Sequence, residues 1–283
     1  MCSGAIAYTR IDKKRMIRDI TIGQYYKTES CIHRLDPRTK IIATLVYIVG
    51  LFVLKSFAGL AFAAAVLVVC TAVSRVPASF MMRGLKPIFL IILFTFVLNM
   101  FIYDGEILVK IGIFTITKEG LRIAFFMAAR LILLILGSSM LTLTTRPIEL
   151  TDGIESLLSP LRKIGVPAHE LAMMMTIALR FIPTLLEETD KIMKAQQARG
   201  ADFESGNILR RAKSLLPILI PLFISAFRIA QDMAMAMEAR CYRGGDGRTR
   251  MYPMHFERRD AVAAVLIVAF LAAVILERIF IKV

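Results

Sequence analysis

The sequence predicts an all-α integral membrane protein with about five transmembrane helices and a run of long cytoplasmic helices between the fourth and the last. Three observations carry that prediction. The chain of 283 residues is 57% hydrophobic with a mean hydropathy of +0.66, too apolar for a soluble domain. The apolar residues form long blocks rather than periodic stripes, and the charges lie between the blocks. Lys and Arg (36) exceed Asp and Glu (22), giving a formal net charge of +14, which suits segments held against an anionic cytoplasmic leaflet or an acidic partner.

Nucleic acid is the rival explanation for a basic chain. The charges are spread over several loops between spans and form no nucleic-acid-binding motif, so the reading excludes it. Cys2, Cys31, Cys70 and Cys241 show no Cys-x-x-Cys spacing, and His33, His169 and His255 do not cluster with them, so neither a zinc site nor a disulfide framework is indicated.

Residues 1–39 form a cytoplasmic amino-terminal segment. Met1 to Asp19 is mixed polar and basic without the apolar core of a signal peptide, and Met16 begins a plausible second start, so residues 1–15 read as an upstream extension. Residues 40–145 form a four-span membrane domain, with spans at Ile41 to Leu54, Phe57 to Val73, Pro87 to Tyr103 and Leu121 to Leu143, since about 20 apolar residues at about 1.5 Å each cross the hydrocarbon core. The first is short and borrows from its flanks. Lys55-Ser56 is the only break between the first two, which makes them a tight helical hairpin. Asp104 to Lys118 has partial strand-like alternation and reads as a small hairpin or an interfacial turn. Residues 260–283 hold the final span, Ala261 to Ile281.

Orientation follows from the loops, because cytoplasmic loops retain Lys and Arg. The amino-terminal segment (Arg10, Lys13, Lys14, Arg15, Arg18, Arg34, Arg38, Lys40) and the loop with Arg75, Arg83 and Lys86 are basic. Both are expected in the cytoplasm, which places Arg146 to Arg259 inside and the carboxyl terminus outside.

Residues 146–259 form a cytoplasmic domain that reads as helices punctuated by Pro147, Pro160, Pro167, Pro183, Pro217 and Pro221. The expected helices run from Glu149 to Leu158, from Ala168 to Ala198 and from about Ile218 to Arg240. Glu187 with Lys191 and Asp190 with Lys194 stand at i,i+4 in the favoured acid-before-base order. Leu171 to Leu186 and Leu215 to Ile229 are apolar enough to be spans; entering the bilayer together they raise the count to seven and leave both termini on the same sides.

Two of these helices end alike, in Gln197-Ala198-Arg199-Gly200 and in Glu238-Ala239-Arg240-Cys241. Ala keeps the last turn slim, Arg is a permanent planar cation suited to carboxylate pairing, and Gly adopts the left-handed conformation that stops a helix. A slim cationic tip suits an acidic groove; singly, each tip is equally an Arg complementing the helix dipole with a capping Gly. The repetition on consecutive helices favours docking. Cys241 stands where Gly is expected, which leaves the second tip's geometry less defined, with Gly244-Gly245 available for the chain reversal.

These paired tips, the segment Ser30-Cys-Ile-His-Arg-Leu-Asp-Pro-Arg-Thr-Lys40, and Thr117-Lys-Glu-Gly-Leu121 with Arg130 in the following span resemble the T component of energy-coupling factor transporters, the EcfT or CbiQ family. The likeness covers the chain from about Ile20 onward. It implies a non-catalytic coupling subunit in the plasma membrane of a prokaryote, part of an ABC-type importer of vitamins or other micronutrients. It also implies that the two long helices are coupling helices, with Arg199 and Arg240 docked in grooves on two ABC-type ATPase subunits and Ala198, Gly200, Ala239 and Cys241 shaping the tips. ATP and Mg then belong to those ATPase subunits and no cofactor to this chain, while one or several S components, separate membrane proteins, capture the solute. Consistent with this, the sequence has no Gly-x-x-x-x-Gly-Lys phosphate loop.

Met173, Met174, Met175, Met233, Met235 and Met237 crowd the coupling helices. They are read either as an adaptable platform for S components or as ordinary burial. Arg130 lies inside an apolar span, where an ionisable group is expensive; it is read as pairing with a neighbouring helix, near Asn99, with a functional site as the alternative. Asp36-Pro37-Arg38 sets the turn into the first span. The rival classes are a permease, which requires polar residues converging within the spans, and a membrane scaffold independent of ATPases.

Overall fold

The computed structural model describes residues 25–103, 106–111, 114–165, 167–201, 203, 213–244 and 255–280. The basic stretch before Tyr25, the second start at Met16, and Gly245 lie outside the described residues. The chain divides into two compact units, Met1–Leu150 with His255–Val283, and Thr151–Met254.

Short-range signals start the helices of the first unit. Asp36 caps α1 (Pro37–Val53) by accepting from the Arg38 amide, and Pro37 occupies the first turn, where no amide partner is needed. Ser56 caps α2 (Phe57–Ser74) through the Gly59 amide, confirming the tight hairpin around Lys55-Ser56. Thr117 caps α5 (Lys118–Thr144) through the Gly120 amide and donates its hydroxyl to Tyr103 O at 2.6 Å. A Cβ on Gly120 would stand 2.8 Å from Met100 O, so this helix start tolerates no side chain at that position.

Between α2 and α5 the structure departs from a single span. α3 (Ala78–Leu85) and α4 (Phe89–Ile102) are separate helices bent by 61°. Pro87 lies in the break, where it has no amide N–H to continue the helical ladder. Arg83, expected in a loop, lies in α3 with its guanidinium 4.5 Å from the Phe80 ring centre. The loop after α4 is a two-stranded antiparallel hairpin, β1 (Ile107–Ile111) with β2 (Phe114–Thr117), pairing Ile107 with Thr117 and Ile111 with Phe114. It is the only sheet among the described residues, so the architecture is all-α apart from this ribbon.

α5 organises the first unit, packing against α1, α2, α3, α4 and β2. Its Leu133 joins Tyr47 and Leu51 of α1, Leu54 just after it, Leu60, Ala63 and Leu67 of α2, and Phe270 and Val274 of α9 (Arg258–Phe280) in one core. Outward-facing Leu45, Phe52, Leu90, Phe94, Val265 and Leu266 are all exposed, the inverse of a soluble protein and the pattern of a lipid-facing surface.

The second unit takes the chain from α6 (Pro147–Leu158), in which the boundary falls, through a 3₁₀ turn (Ser159–Ile164) to α7 (Ala168–Ala198) and α8 (Leu216–Ala239). His169 Nδ1 lies 3.0 Å from Glu155 Oε1, tying the start of α7 to α6. On α7, Lys191 pairs with Glu188 at 3.4 Å rather than with Glu187.

Among the described residues five helices are long and apolar enough to cross a membrane: α2, α5, α7, α8 and α9, with the bent α3–α4 pair a sixth if it counts as one span. The number matches the expected five, but the membership differs. α1, at 17 residues, reaches only about 25 Å. α7 and α8 qualify because most of their charges gather in their second halves, leaving only Glu170 and Arg180 in the first half of α7 and none in that of α8; Pro221 does not interrupt α8.

Candidate functional site

The ends of α7 and α8 have the same backbone. At the first, Gly200 N–H donates to Gln197 O at 3.0 Å and Ala201 N–H to Gln196 O at 2.9 Å, with Gly200 at φ +88°. At the second, Cys241 N–H donates to Glu238 O at 2.9 Å and Tyr242 N–H to Met237 O at 3.0 Å, with Cys241 at φ +54°. Both are Schellman closures, in which a left-handed residue folds the chain back onto the last carbonyls. The expectation that Cys241 loses the left-handed cap is therefore corrected. Cys241 takes the glycine conformation itself, at the steric cost that any Cβ incurs there.

Equivalent closures put Arg199 and Arg240 at equivalent positions, each the last residue before the left-handed one. Both are exposed, as are Ala198, Gly200, Ala239 and Cys241, and among the described residues neither guanidinium has an ion-pair partner.

The six methionines do not form one surface. Met173, Met233 and Met237 are half-buried and line a groove of about 530 Å³ with Arg180, Arg240 and Arg243, whereas Met174, Met175 and Met235 are exposed. Arg180 and Arg243 were not anticipated. A signal was available: Met173, Ile177 and Arg180 stand at i, i+4 and i+7 on α7, and Met233, Met237 and Arg240 repeat that spacing on α8. Each helix thus carries an apolar stripe ending in Arg, and the two stripes meet in the groove.

Arg130 is held by packing, but not where expected. Its Nη2 donates to Leu54 O at 2.6 Å, closing the carboxyl end of α1, and its guanidinium lies 4.6 Å from the Phe126 ring centre. Asn99 instead donates to Thr95 O within its own helix.

The family model described as cobalt transport protein, CbiQ, matches residues 28–252, a range that includes both helix tips. The chain belongs to the EcfT/CbiQ family. Among curated relatives, the energy-coupling factor transporter transmembrane protein EcfT of Thermosediminibacter oceani is 61% identical over 87% of this chain and 93% of its own length. Its namesake in Clostridium kluyveri is 58% identical over 94% of this chain and 99% of its own length, and that of Bacillus subtilis 46% identical over 91% and 97%. This EcfT/CbiQ member is thus a multi-pass transmembrane component of an energy-coupling factor transporter, working in a complex with other transporter subunits.

Proposed function

We propose that this chain is the coupling subunit of its transporter, passing the motion of two ABC-type ATPase subunits to an S component that captures a vitamin or other micronutrient. The observation that carries the reading is the pair of matching, unpaired Arg tips closing α7 and α8. A permanently charged guanidinium on a slim, rigid end is suited to a carboxylate-lined groove, and a Schellman closure fixes its direction. The groove sets Arg240 beside Arg180, and at about 1.5 Å per residue Arg199 lies about 28 Å further along α7. That separation suits one tip per ATPase subunit. ATP and Mg are bound by those subunits, and this chain contributes stiffness rather than chemistry.

The exposed Met174, Met175 and Met235 are the S-component platform in this reading, whereas Met173, Met233 and Met237 pack the groove behind it. The amino terminus is cytoplasmic and the carboxyl terminus outside, by the excess of Lys and Arg before α1 and between α2 and α4. Coupling requires that the S component contact α7 and α8 differently in the two ATPase states, since a partner with no differential contact shifts no equilibrium.

The test is co-purification of the tagged chain with its ATPase subunits, wild type against Arg199→Glu plus Arg240→Glu. Wild type is expected to retain two ATPase subunits and the double reversal to lose them while remaining folded in the membrane. Undiminished capture by the double variant reduces both Arg residues to helix caps and overturns the docking mechanism.

A further inference from the structure

Three arginines from three separate segments line one groove of about 590 Å³ in the first unit: Arg34 before α1, Arg75 at the end of α2, and Arg259 at the start of α9. Ala72 and Val73 form its apolar wall, and Glu29 lines it as well. Among the described lining residues no other carboxylate occurs; Glu29 is already engaged by Arg34 at 2.7 Å, and Arg259 lies 3.8 Å from Glu257, but among the described residues Arg75 has no ion-pair partner. Arg75 is also one of two non-glycine residues held at left-handed φ, at +55°, among those described. A long, β-substituted cation kept in a conformation that Gly adopts freely is an outlier of the kind found where a side chain has a task.

The position names the ligand. α2 and α9 run side by side, touching where Phe62 stacks on Phe270 and where Ser56 donates to Glu277, and the groove opens at the ends opposite Glu277. From its mouth the exposed Val69 and Val73 of α2 and Val262 and Val265 of α9 continue along both helices as a lipid-facing surface. A cationic pocket above an apolar channel matches a headgroup phosphate above acyl chains.

We propose that Arg34, Arg75 and Arg259 form a binding site for the phosphodiester of an anionic phospholipid, with its acyl chains lying along α2 and α9. The guanidinium fork presents several N–H donors to phosphate oxygens, so one cation, Arg75, is free to bind outright and two shared ones assist. With basic residues retained on the cytoplasmic side, the lipid is one of the inner leaflet.

Native mass spectrometry of the full-length chain in an uncharged detergent tests this, with phosphatidylglycerol, phosphatidylcholine of the same acyl chains, and glycerol 3-phosphate as probes. Phosphatidylglycerol is expected to bind and the Arg34→Gln, Arg75→Asn, Arg259→Gln variant to bind it about tenfold more weakly or worse, while Arg83→Gln with Lys86→Gln, off the groove, stays near wild type. Equal loss in both variants, no loss in the triple variant, or equal binding of phosphatidylcholine overturns the site. Displacement of the lipid by glycerol 3-phosphate alone identifies a free-phosphate site and overturns the lipid assignment. Should the triple variant not fold, Arg75→Asn serves by itself, since Asn tolerates the left-handed backbone while removing the unpaired cation; undiminished lipid binding then overturns the proposal.

Discussion

In the membrane unit, several helix ends are also tied by side chains brought from far along the chain, whereas the long helices of the 151–254 unit end in closures made by their own backbone. Lys40 Nζ donates to Thr144 O across 104 residues and caps α5, and Asp260 accepts the Asp36 amide across 224 residues at the start of α1. Arg130 closes the far end of α1 across 76 residues, and Ser56, the cap of α2, is bound to Glu277 across 221. Each of these side chains makes its named bond within the unit. At the tips of α7 and α8 the backbone satisfies itself within six residues and leaves an Arg side chain over. The difference separates inter-helix polar ties that serve the cohesion of the membrane unit from helix-end arginines of the other unit that are left for another molecule. It also weighs against the permease reading, because Arg130 is committed to a carbonyl rather than to a solute path.

The sharpest way to break this contrast is at Asp260. This buried carboxylate accepts the amides of Asp36 at 2.8 Å and Glu257 at 2.9 Å, tying α1 to α9. Asp260→Ala leaves two amides unpaired and is expected to cost about 3 kcal/mol, and Asp260→Asn, which keeps one acceptor oxygen, about half that. Thermal unfolding of the purified chain reads both. Equal losses would mean that charge, not hydrogen bonding, joins the helices.

Arg130→Met comes next, at about 2 kcal/mol for an uncapped, buried Leu54 carbonyl. The unfolding midpoint should fall while ATPase capture by the tips is unchanged. Intact stability with lost transport would restore a functional role inside the span.

The two tips offer a smaller, signed test. Gly200→Ala introduces a Cβ at φ +88° and should destabilise the end of α7 by about 1 kcal/mol, whereas Cys241→Gly relieves one at φ +54° and should stabilise the end of α8 by up to about 1 kcal/mol. Amide exchange at Gly200 and Ala201, and at Cys241 and Tyr242, should quicken in the first variant and slow in the second. Changes of the same sign would show that the two closures are not equivalent.

What was legible in the sequence was local. Asp36-Pro37, Ser56 and Thr117 declare helix starts because a cap needs only its own next three residues, and the spans declare themselves by composition. The Ala-Arg tips are visible in the sequence, but Cys in place of Gly leaves the geometry of the second undefined there; Cys241 shows that closure hydrogen bonds override a modest steric preference. The third span is legible from Pro87 onward, whereas α3 before it, eight residues that include Arg83 and Gly84, reads as a loop. The partners of Lys40, Arg130 and Asp260 could not, since separations of 76 to 224 residues leave no pattern along the chain. For the same reason the repeated Met and Arg spacing on α7 and α8 was readable on each helix, while its convergence on one groove was not.

The smallest effect concerns the segment before α1, where closure depends on a proton. His33 Nε2 faces Tyr26 O at 3.1 Å, and a carbonyl can only accept, so Nε2 carries hydrogen and neutral Nδ1 accepts from Ser30 Oγ at 2.7 Å. Burial lowers the His33 pKa below its ordinary 6.5; Lys40 adds to that shift, and the bond to Tyr26 and the charge of Glu149 oppose it. A folded pKa below the unfolded one means that, as pH falls through 6.5, the unfolded chain takes the proton first. Stability contributed here is therefore complete above pH 6.5 and declines below it toward the folded pKa. His33→Gln retains hydrogen bonding without titrating, so the wild-type unfolding midpoint should fall more than the variant's between pH 7.5 and 5.5. Parallel declines would show that the segment is held by Lys40 and the Tyr26 amide, which donates to Leu143 O at 2.9 Å, without help from the imidazole.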